Sequence, residues 1–352
     1  MASETRDFVL STGKVTRENL HWRRPLLIAI VTGSLTALCI LTGHTSYAVP
    51  IAVGAWFTAL SDTRQAFGVH WRYMAWTCMW LAIGATIGGF ASTTGSWQLI
   101  IVGAMSLACG FAGALGGLGL ANGSLTLVMY AIFAGAPVSD RTAGQTGLLV
   151  LAGGIISILV SLVVYLIGAR SQLHEHRPAP DSIRHRLSEH LNLHDDYVWH
   201  SVRLAVAMVV ATALSHALGW PHEYWIPMTV AWIARPGRRL TLERTMHRVL
   251  GTLAGIVVVI GLMLTAGYSQ YQLAVLVAAG AGMTLIFIRA NYTLAVTGIT
   301  IAVLCLFAVE GQSLEINAPY RIAATLLAGA ITALSALLWQ PDNSSRSGNA
   351  AP

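Results

Sequence analysis

Residues 142–169 read TAGQTGLLVLAGGIISILVSLVVYLIGA, a stretch without a single charged side chain. Two further uncharged stretches cover residues 73–139 and 249–288. Each is long enough for one or more helices of ~20 residues, the length that crosses a hydrocarbon core ~30 Å thick. Because a backbone in lipid must satisfy its own hydrogen bonds, and these stretches do not alternate polar and apolar residues, helices are favoured over barrel strands. The pattern predicts an all-α, polytopic helical membrane protein.

Composition supports this class and argues against others. Charged residues make up only 10% of the 352 residues, far below the share of a soluble domain. The net charge is +6, but the basic residues flank apolar spans and are not interleaved with stacking aromatics, so nucleic acid is not an expected partner. The chain has no HExxH motif, no nucleophile elbow and no clustered Asp pair of the kind that supports phosphate–metal chemistry. We therefore expect no enzymatic activity, no cofactor and no metal site.

One short block occurs twice along the chain. In the second half Tyr224-Trp225-Ile226-Pro227 precedes an Arg-rich strip and then the segment GTLAG at 251–255. In the first half Tyr47-Ala48-Val49-Pro50 precedes the segment GATIG at 84–88, and its Tyr and Pro recur 177 positions later. The duplication predicts about twelve spans in two parallel six-span repeats, related by an axis along the membrane normal. A substrate path between the two repeats follows most naturally from such an arrangement.

The predicted spans of the first half are 25–42, 47–60, 74–90, 97–115, 120–134 and 143–167. Those of the second half are 202–218, 224–234, 249–264, 273–288, 291–309 and 322–339. Spans two and eight are short and carry Pro near their start, which indicates broken or partly re-entrant helices. Spans four and five are either two helices or one helix followed by a loop at 116–123.

Charge distribution predicts the topology and the domain boundaries. With both termini in the cytoplasm, 19 of the 21 Lys and Arg residues lie on the cytoplasmic side and only Arg141 and Arg321 lie outside. We expect a cytoplasmic N-terminal segment at 1–20 without a cleavable signal, and membrane repeats at 21–169 and 199–340. A cytoplasmic linker at 170–198 and a disordered cytoplasmic tail at 341–352 complete the prediction. The protein is expected in a bacterial plasma or inner membrane, as a multi-pass protein.

The Arg-rich strip supplies the candidate substrate site. Arg244 and Arg248 are four residues apart and share one face of a helix, and the planar guanidinium binds carboxylates in a bidentate way. The alternative interpretation is an orientation signal with lipid-phosphate contacts. Nearby aromatic and small residues of both short spans are candidates for the wall of a passage for flat substrates. The full set of candidate substrate-binding residues is Arg244, Arg248, Tyr224, Trp225, Pro227, Thr229, Tyr47, Pro50 and Thr252.

Two further groups of residues carry hypotheses. The small-xxx-small pairs Gly251–Gly255 and Gly84–Gly88 predict close helix packing. Proton coupling would need a buried His or carboxylate, and the candidates are His216, inside span seven, and Asp62, at a span end. His216 facing the external interface is the alternative.

The element Tyr-Trp-x-Pro-x-Thr at 224–229, followed by Thr241, Arg244 and the segment Arg-x-x-Gly-Thr-x-x-Gly at 248–255, resembles the fusaric acid resistance family. That family includes bacterial aromatic acid exporters and is related to plant malate channels. The resemblance covers mainly residues 202–264. In the first half Leu81 stands where Arg248 would be and Ala85 where Thr252 would be.

The resemblance implies export of small organic acids, aromatic carboxylic acids foremost, driven by the membrane potential or a proton gradient. An anion channel or uniporter for organic acids is the first alternative, and a non-transporting membrane scaffold is the second. The expected partners are small organic anions and membrane lipid, with a homo-oligomer as a further option.

Overall fold

The computed structural model describes residues 15, 16, 20, 22–61, 67–135, 142–168, 190, 195–266 and 268–338. Asp62, Arg141, most of the predicted linker and most of both terminal segments lie outside the described residues. Every regular element of the described part is helical, which confirms the all-α part of the predicted fold class. The helices of the first half are α1 (Arg23–Leu41), α2 (Ala48–Leu60), α3 (Phe67–Ala91), α4 (Gln98–Phe111), α5 (Gly117–Ala134) and α6 (Ala143–Gly168). Those of the second half are α7 (Asp196–Leu218), α8 (Trp225–Ile233), α9 (Arg238–Ala266), α10 (Gln270–Phe287), α11 (Tyr292–Val309) and α12 (Leu314–Leu338).

Ten of the described helices are long and apolar enough to cross a membrane. The chain is therefore a multi-pass membrane protein. The other two helices, α2 and α8, have 13 and 9 residues, which at 1.5 Å per residue extend only ~20 Å and ~14 Å. Twelve helices thus stand where twelve spans are expected, but only ten reach spanning length. The short pair corresponds to predicted spans two and eight.

Local sequence explains where several helices begin and end. Gly116 adopts a φ of 96°, a conformation that only glycine enters freely, and it separates α4 with its 3-10 extension at 112–115 from α5. Predicted spans four and five are therefore two helices. Gly219 ends α7 in the left-handed conformation, and Ser269 opens α10 with a capping box to Gln272.

Helices of the two halves pair in the same way. In the first half α2 contacts α1, α3 and α6, while α3 also contacts α5 and α6, and α5 contacts α4. Six helices further along, α8 contacts α7, α9 and α12, while α9 also contacts α11 and α12, and α11 contacts α10. The halves meet through α4 with α7, α1 with α10, and α5 with α8.

The short helices lie at the centre of the bundle. All nine residues of α8 are buried, as are eleven of the thirteen in α2. The ring of Phe57 on α2 meets the ring of Trp232 on α8 edge-on, at a centroid distance of 5.7 Å. Long helices on the outside leave apolar side chains such as Val257 and Leu264 exposed, as lipid contact requires.

Four helices start six or more residues before the predicted boundaries. Helix α3 begins at Phe67 rather than at 74, and α7 begins at Asp196 rather than at 202. Helix α9 begins at Arg238 rather than at 249, so the predicted Arg-rich strip is partly helical. Helix α12 begins at Leu314 rather than at 322, because Asn317 N–H already bonds to the Ser313 carbonyl and the helix continues through Pro319. Arg321, predicted in an external loop, is therefore inside a membrane helix. The predicted span begins at 322, with the uninterrupted apolar run, and so leaves Arg321 one residue outside it.

Candidate anion-binding site

Helix α8 forms one wall of the candidate site. Pro227 is its third residue, where a backbone N–H has no intrahelical acceptor, so proline is tolerated there. Thr229 lies four residues after Trp225 and three before Trp232, so these three side chains share one face of the helix. Helix α8 therefore carries two indole rings and a hydroxyl on one face, and its neighbours include α9 and α12.

Arg248 projects from α9 into this centre. Its side chain is 0% exposed, and its guanidinium carbon lies 5.9 Å from the ring centroid of Trp232. Within the described part of the chain, none of its three side-chain nitrogens makes a hydrogen bond of normal distance and angle, and the Tyr292 hydroxyl is the polar group near enough to interact with its charge. Thr252, one turn further along α9, is also buried and its hydroxyl is also without a partner there.

Arg321 projects from α12 toward the other end of α8. It too is 0% exposed, and its guanidinium carbon lies 5.1 Å from the ring centroid of Trp225. Its three side-chain nitrogens likewise have no partner among the described residues. The charge of Arg248 repels that of Arg321, so the two cations lie close enough to influence each other. Sequence reasoning missed Arg321, and its only signal was a basic residue flanked on one side by a long apolar run.

Other buried polar groups on α8, α9 and α11 also have no hydrogen-bond partner among the described residues. The Trp225 indole nitrogen, the Thr229 and Thr252 hydroxyls and the Tyr292 hydroxyl are all buried and unpaired within the described residues. An indole N–H and a guanidinium only donate, whereas a hydroxyl donates or accepts. A cluster so rich in donors has the composition expected for binding an anion, since buried polar groups normally find partners.

Further cations mark the end of the site where α8 meets α9. The Arg244 guanidinium carbon lies 4.6 Å from the ring centroid of Tyr292. Arg235, in the connection between the helices, donates to the Ser124 hydroxyl at 2.6 Å. Burial, together with the charge of Arg244, lowers the pKa of Arg235 to about 9, so this residue stays cationic at neutral pH. Arg235, Arg244, Arg248 and Arg321 thus form a series of cations from this end toward the start of α8.

His222, in the connection between α7 and α8, lies at the opposite end of the site. Its ring stacks on Trp225 at 4.4 Å, and its Nε2 lies 2.9 Å from the Asn317 Oδ1. Burial lowers the pKa of His222 below its ordinary value; the bond to Asn317 opposes this shift, and the charge of Arg321 adds a smaller lowering. The backbone of His222 has a φ of 60°, which is uncommon for a residue other than glycine.

The predicted site residues do not all come together. Tyr224, Trp225, Thr229, Arg248 and Thr252 lie on facing parts of α8 and α9, with Arg244 on the adjacent turns of α9. Tyr47 and Pro50 belong to the first half, where Pro50 is buried in α2 and the ring of Tyr47 lies 5.3 Å from that of His44. No described contact joins either of them to a buried guanidinium.

The predicted proton-coupling residues lie apart from the guanidiniums. His216 is exposed at the end of α7, with its Nε2 3.6 Å from a Glu223 carboxylate oxygen. Together with Tyr130, Tyr224 and Pro227 these two residues line a small pocket between the halves. Asp62, as stated, is outside the described residues.

The predicted packing glycines lie at two corresponding helix contacts. A Cβ on Gly251 would come within 2.5 Å of the Thr293 carbonyl oxygen, and one on Gly255 within 2.6 Å of the Thr300 Cβ. Both contacts join α9 to α11. Gly84 and Gly88 meet the carbonyl oxygens of Thr126 and Tyr130 in the same way, and so join α3 to α5.

Comparison with known proteins confirms the resemblance seen in the sequence. Residues 207–335 match the family model described as fusaric acid resistance protein-like. The chain is 31% identical over 158 residues to the inner membrane protein YccS of Escherichia coli, covering 45% of this chain and 22% of that protein. An uncharacterised protein of Synechocystis is 29% identical over 147 residues, which is 41% of this chain and 19% of the relative. The chain thus spans about a fifth of the length of these two relatives, and no solved structure matches it.

Proposed function

We propose that this chain, a membrane protein whose residues 207–335 are fusaric acid resistance protein-like, exports small organic acids, aromatic carboxylic acids foremost, from the cytoplasm. Arg248 is the central anion-binding residue in this proposal. Trp232 and Trp225 flank the passage, and Arg244 gathers anions at its cytoplasmic end.

The observation that carries the proposal is the burial of Arg248 without a partner among the described residues. Moving a cation out of water costs several kcal/mol even after the protein relaxes. A carboxylate bound to the guanidinium would offset much of that cost through charge-assisted hydrogen bonds. The Trp232 ring face gives some stabilisation to the empty state, of about 0.5–2 kcal/mol, which is less than the desolvation cost.

Membrane potential supplies a driving force that needs no coupled ion. An interior-negative potential expels each negative charge with about 2.3 kcal/mol per 100 mV. A proton gradient is the alternative source, and the His216–Glu223 pair in the pocket between the halves is the group that would respond to it. Either source would drive export from the cytoplasm, the proton gradient by coupling proton entry to anion exit.

The matching helix contacts of the two halves support a pair of parallel six-helix repeats. The proposed passage, however, does not run along a symmetric seam. Its cations all come from the second half, and the first half contributes the wall formed by α2 and α5 against α8. Alternating access would then arise from movement of α8 relative to α9 and α12.

One observation favours a carrier over an open channel. Both central guanidiniums are 0% exposed, so this conformation offers no continuous aqueous route past them. An anion channel using the same residues is the second candidate function. A scaffold without transport gives no reason for buried, unpartnered cations.

The test measures uptake of labelled benzoate into proteoliposomes with an imposed potential, for the unmodified protein and for Arg248→Gln. Losing a hydrogen bond to a charged group of about 1.5–3 kcal/mol should lower uptake at low benzoate by roughly 10- to 100-fold. Arg72→Gln, at an exposed arginine of α3, is the matched control and should keep normal uptake. Equal uptake by Arg248→Gln and the unmodified protein would remove Arg248 from the site, and no uptake by either would favour the scaffold.

A further inference from the structure

We propose that Arg321 and Trp225 form a second carboxylate-binding subsite, distinct from the one at Arg248 and filled by a second small organic anion. This inference rests on the proposed function and deepens it. It turns one binding site into two subsites in series along α8.

The spacing of the two indole rings separates the subsites. Arg321 lies over Trp225 and Arg248 over Trp232, and these two positions are seven residues apart on α8. Seven residues of helix rise about 10 Å. Because each guanidinium lies over its own ring, at 5.9 Å for Arg248 and 5.1 Å for Arg321, the proposal gives each one a carboxylate of its own.

The subsite at Arg321 is built for an oxyanion with a flat body. Its guanidinium has three nitrogens without partners in the described residues, and the indole nitrogen of Trp225 is a further unpaired buried donor. Aromatic side chains line the surroundings. His222 stacks on Trp225 at 4.4 Å, and the ring of Phe307 lies 5.4 Å from that of His222 and 5.8 Å from that of Tyr224. Donors at one place and ring faces beside them match the two parts of an aromatic carboxylate.

Electrostatics links the two subsites. In the empty protein the guanidiniums repel each other, so a first anion at either one relieves this repulsion. A second anion is attracted by its own guanidinium and repelled by the first anion. Sites that bind firmly alone and weakly together allow rapid release, as in multi-ion pores. In the proposal, Arg321 receives the anion from Arg248 and releases it at the end of the site where His222 lies.

The experiment is isothermal titration calorimetry of the full chain in detergent with benzoate as the probe. We expect two equivalents bound by the unmodified protein and by the control Arg72→Gln. One equivalent is expected for Arg321→Gln and one for Arg248→Gln. Arg321→Lys, which keeps the cation but loses the planar fork, should regain the second equivalent with affinity weaker by about 10-fold.

The outcomes separate the subsite from the proposed function. Transport of benzoate with only one equivalent bound, or two equivalents bound by Arg321→Gln, overturns the second subsite and leaves the exporter standing. A protein that neither transports nor binds benzoate overturns the proposed function itself.

Thermal unfolding of the same variants without benzoate tells a binding role from a structural one. Removing a buried cation that has no partner should leave the melting temperature of Arg321→Gln unchanged or raise it. A much lower melting temperature, or failure to fold, would show that Arg321 is structural and would contradict the proposal. Benzoate should raise the melting temperature of the unmodified protein more than that of either Gln variant.

Discussion

At the scale of single residues, the candidate site contains several residues whose burial or backbone conformation is unfavourable for stability. Arg248 and Arg321 are fully buried and unpartnered within the described residues, and His222 holds a φ that few non-glycine residues adopt. Buried unpaired charges and strained backbones persist where function requires them. In the proposed function these three residues, together with Trp225, form the region that binds anions.

His222 should make stability depend on pH. Its pKa in the folded protein is below the ordinary value of about 6.5, so below that pH the unfolded chain binds more protons than the folded one. The contribution of neutral His222 is thus fully present above about pH 6.5 and is lost as the pH falls below it. Thermal unfolding between pH 7 and pH 5 should show a smaller loss of melting temperature for His222→Asn than for the unmodified protein.

Asparagine is the suitable replacement because it tolerates a positive φ. Arg72→Gln, at an exposed arginine of α3, is the control and should leave the pH dependence between pH 7 and pH 5 unchanged, because arginine does not titrate in this range. Identical slopes for His222→Asn and the unmodified protein would show that His222 does not titrate in this range.

At the scale of helices, the position of α9 in the bundle depends on its close contact with α11. Gly251 and Gly255 lie one turn apart on α9 and face backbone and side-chain atoms of Thr293, Val296 and Thr300 on α11. Arg248 precedes Gly251 by three residues, so the depth at which its guanidinium sits depends on this contact. Small residues let membrane helices approach closely.

Gly251→Ala should disturb both stability and binding. Its Cβ would lie 2.5 Å from a backbone carbonyl oxygen, which forces α9 away from α11 and should destabilise the protein by about 1–3 kcal/mol. Gly261→Ala on the same helix meets no atom within 4 Å, and should be neutral or stabilise by roughly 0.5–1 kcal/mol. The check is the melting temperature of both variants with and without benzoate. Equal melting temperatures would argue against a tight contact at Gly251.

At the scale of the whole molecule, the halves share helix contacts but not chemistry. Leu81 and Ala85, which stand where Arg248 and Thr252 would be in the proposed repeat, are both 0% exposed core residues of α3. The first half therefore has an apolar contact where the second has a cationic site. In the proposed function the first half supports α8 through Phe57 and α5, and the second half binds the anion.

The carrier interpretation predicts counterflow. Proteoliposomes loaded with unlabelled benzoate should accumulate labelled benzoate transiently above its equilibrium level. A carrier that moves unlabelled benzoate out returns with labelled benzoate from outside. Arg248→Gln should lower this transient accumulation, whereas Arg72→Gln should not. Benzoate flux without any transient accumulation would instead support the channel.

The sequence by itself determined the class of fold, most helix positions and one half of the cationic centre. Charge-free stretches require helices in lipid whatever packs around them, and the spacing of Arg248 from Gly251 and Thr252 is a property of one helix. Arg321 and Trp225, by contrast, are 96 residues apart in the chain, and only the packing of α8 against α12 makes them neighbours. The same holds for the contact between Phe57 and Trp232, since contacts between distant helices depend on side-chain packing across the whole bundle rather than on local pattern.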